Sequence, residues 1–312
     1  MRKLSILLIV FLLGACAQPS FPSIDPSTDF LASLNTVDAT IDFISPEHQI
    51  FETWELDEAY TGFTLVTDDL LLLYGFSLKE AKLIQLSTGK LLATLNVAEG
   101  TTFAYAYDEK IYIANGRENT VTLFNKEGEQ LRTANTGNYP MSMVANKDHL
   151  YVVNFKDEML SVFTLDLAEV DEWTIPSSSH GLLVNGKELW LGGHGAGSKP
   201  NRMVKVFDIE TGNTLGEIEA PMMPINMIKA SNGHIYAVSH GSSSIYEISE
   251  TGNVLSTIKI GANPFSIAEF GRDIVVAGYD DHYIYFVESG KTKDELQVGK
   301  GPFQLLVREA GK

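Results

Sequence analysis

The 312-residue chain contains one cysteine, three tryptophans and no apolar run of membrane-spanning length. That cysteine is Cys16, so the rest of the chain can form no disulfide and must be held by packing alone. Positive charge is scarce as well: 23 Lys and Arg stand against 40 Asp and Glu, for a net charge of -17 at pH 7. No Lys/Arg cluster occurs beyond the first three residues, which excludes the basic stripe that a nucleic-acid partner would need. Acidity favours solubility but names no partner. H-E-x-x-H and paired cysteines are also missing, so no metal motif is written in the chain and nothing in it requires a cofactor.

What the chain has is repetition. Residues 137–175 hold four short apolar runs, at 141–145, at 150–153 followed by Asn154, at 160–166 and at 170–175. Each is bounded by turn residues and too short for a stable helix. Four strands make one small sheet with two apolar faces, which can fold only with a neighbour stacked on each. The second run recurs as LLLLYG at 70–75, IYIANG at 111–116, LYVVNF at 150–155, LWLGGH at 189–194, IYAVSH at 235–240 and IVVAGY at 274–279. The steps are 41, 39, 39, 46 and 39 residues, the spacing of propeller blades. The long step holds an insertion at 195–201, between the second and third strands of the fourth copy. Pro140, Pro224, Pro264 and Pro302 open first strands, where no ladder donor is needed.

Tyr151-Val152-Val153-Asn154 and Tyr112-Ile113-Ala114-Asn115 carry a resemblance to the YVTN repeat family of β-propellers, extending from about residue 57 to the end. Gly193, Ser239 and Gly278 depart from it at the Asn position. The resemblance implies an all-β fold of four-stranded blades and leaves function open, since one such fold serves many ligands. After Pro302 one strand remains, at 303–307, while three precede the first full copy, at 30–34, 39–45 and 49–56. Joining them makes a seventh blade and closes the ring. The expectation is a seven-bladed β-propeller; six blades with the N-terminal strands packed outside is the alternative.

The N-terminus reads MRKLSILLIVFLLGAC, with a basic start, an apolar run at 4–13 and small residues before the cysteine. This is an export signal, too short and wrongly flanked to span a membrane. Leu13-Gly14-Ala15-Cys16 resembles the lipobox of bacterial lipoproteins, which implies cleavage before Cys16 and a lipid on its thiol; a plain secretory signal is the alternative. The expected organisation is a signal peptide at 1–15, a flexible Pro/Ser-rich tether at 16–29 and one propeller domain at 30–312. Such a protein sits in the cell envelope, outside the cytoplasm, anchored to a membrane through the lipid on Cys16.

In this blade topology the loops between second and third strands, and those joining blades, emerge on one rim around a channel lined by first strands. His180 opens the first strand of the fourth copy, and His194, His240 and His282 fall in the second-to-third-strand loops of copies four, five and six. Four of the seven histidines thus share one rim, with Asp280 and Asp281 beside them. His149 and His234 fall on the opposite rim, and His48 in the closing blade. Such a set can hold a metal or act as acid and base, although its spacing matches no metal motif and solvated loop histidines are the plain alternative. Ser142, Asn226, Ser266 and Gln304, each two residues past a strand-opening proline, are expected to form a polar ring at the channel entrance, serving a ligand or only one another and water. Tyr139, Phe155, Tyr279 and Tyr283 are candidate aromatics of the same rim, and the Gly-rich stretch 192–200 matches no phosphate fingerprint. The expected function is binding or scaffolding for a protein, glycan or small ligand. A channel-mouth enzyme, a lyase or lactonase-like hydrolase with or without a metal, is the alternative, with His180 and His240 its candidate catalytic residues.

Overall fold

Each recurring apolar run becomes the second strand of a blade and is buried on both faces. Leu70–Tyr74, His149–Asn154 and Asp273–Gly278 are examples in the computed structural model, which describes residues 20–196, 198–220 and 222–310. Cys16 and the leader lie outside the described residues. The outermost strands are mostly exposed, each keeping few buried positions, such as Ile258 in Val254–Lys259. The gradient follows from position, since a second strand has a neighbouring blade on either face while a fourth strand meets water.

Seven sheets of four antiparallel strands form a ring. Blade 1 comprises Gly62–Thr67, Leu70–Tyr74, Glu80–Gln85 and Lys90–Asn96 from the channel outward. Blades 2 to 6 follow in sequence, and the inner strands of blades 3 to 6 are Pro140–Ala145, Ser179–Asn185, Pro224–Lys229 and Pro264–Phe270. Blade 7 joins the two ends of the chain: Pro302–Arg308 is innermost, then Phe30–Asn35, Thr40–Ile44 and Ile50–Glu55. Its register sets Leu31 opposite Val307. The fold is therefore the seven-bladed propeller that the repeat implies, and the six-bladed alternative falls. Seven apolar clusters, each spanning one seam between adjacent blades, form the core. Among the described residues, no helix is long and apolar enough to cross a membrane.

Residues 20–29 are not the flexible tether expected there. Ser20 bridges to Lys90, Phe21 stacks on Trp54 with centroids 4.5 Å apart, Trp54 Nε1 donates to the Pro22 carbonyl at 3.0 Å, and Ile24 is buried. A segment that covers apolar surface and satisfies a buried indole N–H gives up its conformational freedom. Two apolar residues within the Pro/Ser run, Phe21 and Ile24, make the difference.

The inner strands share an irregularity. Pairing with the second strand slips by one residue between Pro140 and Ser142, Pro224 and Asn226, and Pro264 and Ser266, with equivalents at Thr101/Phe103 and His180/Leu182. A bulge at the start of these five strands re-phases the alternation of side chains where the strand enters from the rim.

Candidate functional site

Three histidines converge where blades 4 and 5 meet the channel. His180 lies in the inner strand of blade 4, His194 directly follows that blade's second strand, Glu188–Gly193, and His240 directly follows Ile235–Ser239 in blade 5. The ring of His194 is 6.1 Å from that of His180 and 5.8 Å from that of His240, with Phe155 edge-on at 5.8 Å. His240 packs on Phe265 at 4.6 Å, and Phe265, Tyr279 and Phe303 contact one another at 5.1 to 6.2 Å. Beside them lies a cavity of about 260 Å³ in the channel, whose walls include Phe103, Met141, His180, His194, Phe265 and Phe303, with His240 packed behind His194 and Phe265.

The hydrogen bonds fix two tautomers. His180 Nδ1 lies 2.8 Å from the Ile225 carbonyl and His240 Nδ1 lies 3.3 Å from that of Pro264. A carbonyl only accepts, so each Nδ1 carries the proton and each neutral ring keeps a lone pair on Nε2. His194 Nδ1 is buried with no partner. Burial, and then the neighbouring imidazoles His180 and His240, push the pKa of His194 down to about 4; burial likewise lowers that of His180. His180 and His194 are both neutral at pH 7.

This has a measurable consequence. From the ordinary imidazole pKa of 6.5 down to about 4, the unfolded chain takes up a proton at His194 that the folded chain refuses. The stabilisation from keeping this ring neutral is fully present above pH 6.5 and is lost as pH falls toward 4. Denaturant unfolding at pH 7 and pH 5 is expected to show a smaller acid-induced loss in His194→Phe than in the parent protein; equal losses would show that the ring titrates normally.

The expected polar ring stitches blades together. Gln304 of blade 7 donates to the Phe63 carbonyl at 2.9 Å and accepts the Phe63 N–H at 3.1 Å, crossing to blade 1. Asn226 Nδ2 donates to the Phe265 carbonyl at 3.3 Å, and Ser266 Oγ accepts the Leu305 N–H at 3.0 Å. Thr102 Oγ1 donates to the Pro140 carbonyl at 2.5 Å. All three of the expected residues Asn226, Ser266 and Gln304 also line the cavity. Ser142 does not: Met141 before it lines the cavity, and the serine hydroxyl is buried without a partner.

His282 is held apart from the other rim histidines. Its Nδ1 lies 3.0 Å from the Tyr279 carbonyl and 3.2 Å from the Gly301 nitrogen, bracing the entry to the closing strand. Asp280 is exposed, while Asp281 caps its loop by accepting from Ala262 N–H at 2.7 Å and Tyr285 O–H at 2.8 Å. No group of three or more His, Cys, Asp or Glu side chains among the described residues is placed to hold a metal ion. Phe265 and Phe303 were absent from the expected aromatics, although each directly follows a strand-opening proline and so occupies the position that the bulge turns toward the channel.

No protein-family model and no curated protein matches the chain in sequence. Solved structures share its fold. A functionally unknown protein from Desulfotomaculum acetoxidans aligns with a TM-score of 0.75 at 9% identity, over 90% of this chain and 99% of that one. Apo AztD from Citrobacter koseri aligns at 0.64 and 12%, over 90% and 97%. Virginiamycin B lyase from Staphylococcus aureus aligns at 0.64 and 15%, over 77% and 84%. Likeness at these identities establishes architecture and leaves the chemistry to the site.

Proposed function

We propose that this propeller is a ligand-binding module, carried outside the cytoplasm on a lipid at Cys16, whose recognition surface is the channel mouth bordered by His180, His194 and His240. The observation that carries the reading is the cluster of three imidazoles at one apolar cavity, with His180 and His194 in its wall and His240 packed against His194. The enzymatic alternative would use the same side chains, of which His194 is the one least suited to act as a base. A general base works best with a pKa near the working pH, and an imidazole held near 4 is a weak one at neutrality.

Anchoring and presentation agree in geometry. Ser20 bridges to Lys90 at the turn between the third and fourth strands of blade 1, and such turns lie on the rim opposite the loops of His194 and His240. Only residues 17–19 separate Cys16 from Ser20, a reach of about 14 Å at full extension. A lipid on Cys16 leaves the histidine mouth turned away from the bilayer, open to ligands from the aqueous side.

The test is a thermal-shift screen of a diverse small-molecule set, repeated on His240→Ala and Phe265→Ala. Hits that vanish in both variants support the reading. Hits indifferent to both variants overturn it, and a hit that is consumed decides for the enzyme. Membrane fractionation of Cys16→Ser tests the anchor separately: a variant that stays membrane-bound removes the lipid from the proposal.

A further inference from the structure

We infer that the ligand of this mouth is an uncharged, flat, largely apolar molecule bearing a hydroxyl, a compound of the phenol class. The inference rests on the reading of the mouth as a ligand site and names what it selects. On a chain with a net charge of -17, none of the side chains lining the cavity is Asp, Glu, Lys or Arg. An anion would find no cation there and a cation no carboxylate, and either would lose its hydration without replacement.

The polar atoms of the walls narrow the class further. Both ends of the Gln304 amide are engaged by Phe63, the Thr102 hydroxyl by Pro140, the Asn226 amide N–H by Phe265 and the Ser266 oxygen by Leu305. A sugar, with polar groups around its whole edge, would leave most of them unpaired against Phe103, Met141, Phe265 and Phe303. Among the groups left for a ligand are the lone pair on His180 Nε2 and the imidazole of His194 in the cavity wall. A hydroxyl answers both, because it donates to a lone pair and accepts from an N–H, whichever His194 offers. The aromatic walls favour a ring stacked or edge-on between them, and about 260 Å³ is below the range of roughly 300–1,000 Å³ usual for drug-sized ligands. One or two fused rings fit.

Four probes of matched shape separate the terms: 2-naphthol, 2-methoxynaphthalene, 2-naphthoate and 2-naphthylmethylammonium, titrated calorimetrically into the full chain carrying Cys16→Ser. The expected result is that 2-naphthol binds about ten-fold tighter than each of the others, the worth of one net hydrogen bond in a dry site. In His180→Phe and in His194→Phe, which keep an aromatic wall, the ratio of 2-naphthol to 2-methoxynaphthalene affinity falls toward one. A ratio unchanged in both variants, a charged probe that binds tightest, or no binding by any probe overturns the inference. If a charged probe wins and Phe265→Ala abolishes its binding, the mouth remains the ligand site and only the class is wrong. If no probe binds and the screening hits ignore the mouth variants, the proposed function falls as well.

Discussion

Arg308→Met is expected to destabilise the ring by roughly 3–4 kcal/mol, because this side chain locks the joint between the two chain ends. Arg308 ends the innermost strand of blade 7 and is 2% exposed. Its guanidinium donates to the carbonyls of Asp25 at 2.6 Å, Thr28 at 2.7 Å and Asp68 at 3.1 Å, and its carbon sits 4.4 Å from the centroid of Phe30. Those partners belong to three different pieces: the N-terminal strap, the first turn of blade 1 and the second strand of blade 7. Methionine fills part of the volume but strands three carbonyls, and hydrogen bonds to a charged donor are worth about 1.5–3 kcal/mol each when not additive with their neighbours. Arg308→Lys keeps the charge on a single point and is expected to recover only part of the loss, since one ammonium cannot reproduce the planar fork. Hydrogen exchange reads the mechanism directly. The amides of Phe21 and Ile24, bonded to Gly89 and Leu86 carbonyls at 2.8 Å each, should lose protection first in the variant. A Met variant with parental stability and a protected strap would show that strand pairing alone closes the ring.

The blade phase was legible because a second strand is buried on both faces, so its apolar run stands out whatever the register. Closure was legible by remainder: one strand after Pro302 needed three partners, and 30–56 held three. The strap was not legible, because two apolar residues among Pro and Ser resemble a linker until Trp54 is seen to need both a ring on its face and an acceptor for its N–H. Repeat position also failed to say which histidines meet. His194 and His240 leave the ends of second strands, whereas His282 stands at the start of a third strand with φ 67°, which turns its ring to the Gly301 seam. The channel-lining set grew for a similar reason: counting two residues from each proline assumes an unbroken alternation, and the bulge breaks it, so that the residue directly after the proline also lines the cavity, as Met141, Phe265 and Phe303 do.

Gly192→Ala is expected to cost roughly 2–3 kcal/mol and to dissolve the histidine cluster, through a contact between blades that only glycine allows. A Cβ at Gly192 would lie 2.0 Å from the Pro224 carbonyl of blade 5 and 3.3 Å from the His180 carbonyl. Backbone cannot swing aside as a long side chain can, so the blade 5 inner strand must retreat. Gly193 compounds the constraint with φ 150° and a Cβ position 2.7 Å from the Ser178 carbonyl. The pair Gly192-Gly193 departs from the Asn-ended pattern of blades 2 and 3, and the close approach it permits is what sets His194 of blade 4 within 5.8 Å of His240 of blade 5. Retreat of the strand would also stretch the 2.8 Å bond from His180 Nδ1 to Ile225, which lies next to Pro224. The variant should therefore lose stability, free His194 to titrate nearer an ordinary imidazole, and lose affinity for 2-naphthol together. Gly216→Ala in the outer strand of the same blade is the control: nothing lies within 4 Å of its Cβ position, and removing glycine from a strand there should gain about 0.5–1 kcal/mol. If Gly192→Ala is instead as stable as the parent and leaves the pKa of His194 near 4, the mouth owes its geometry to the loops and not to the seam between blades 4 and 5.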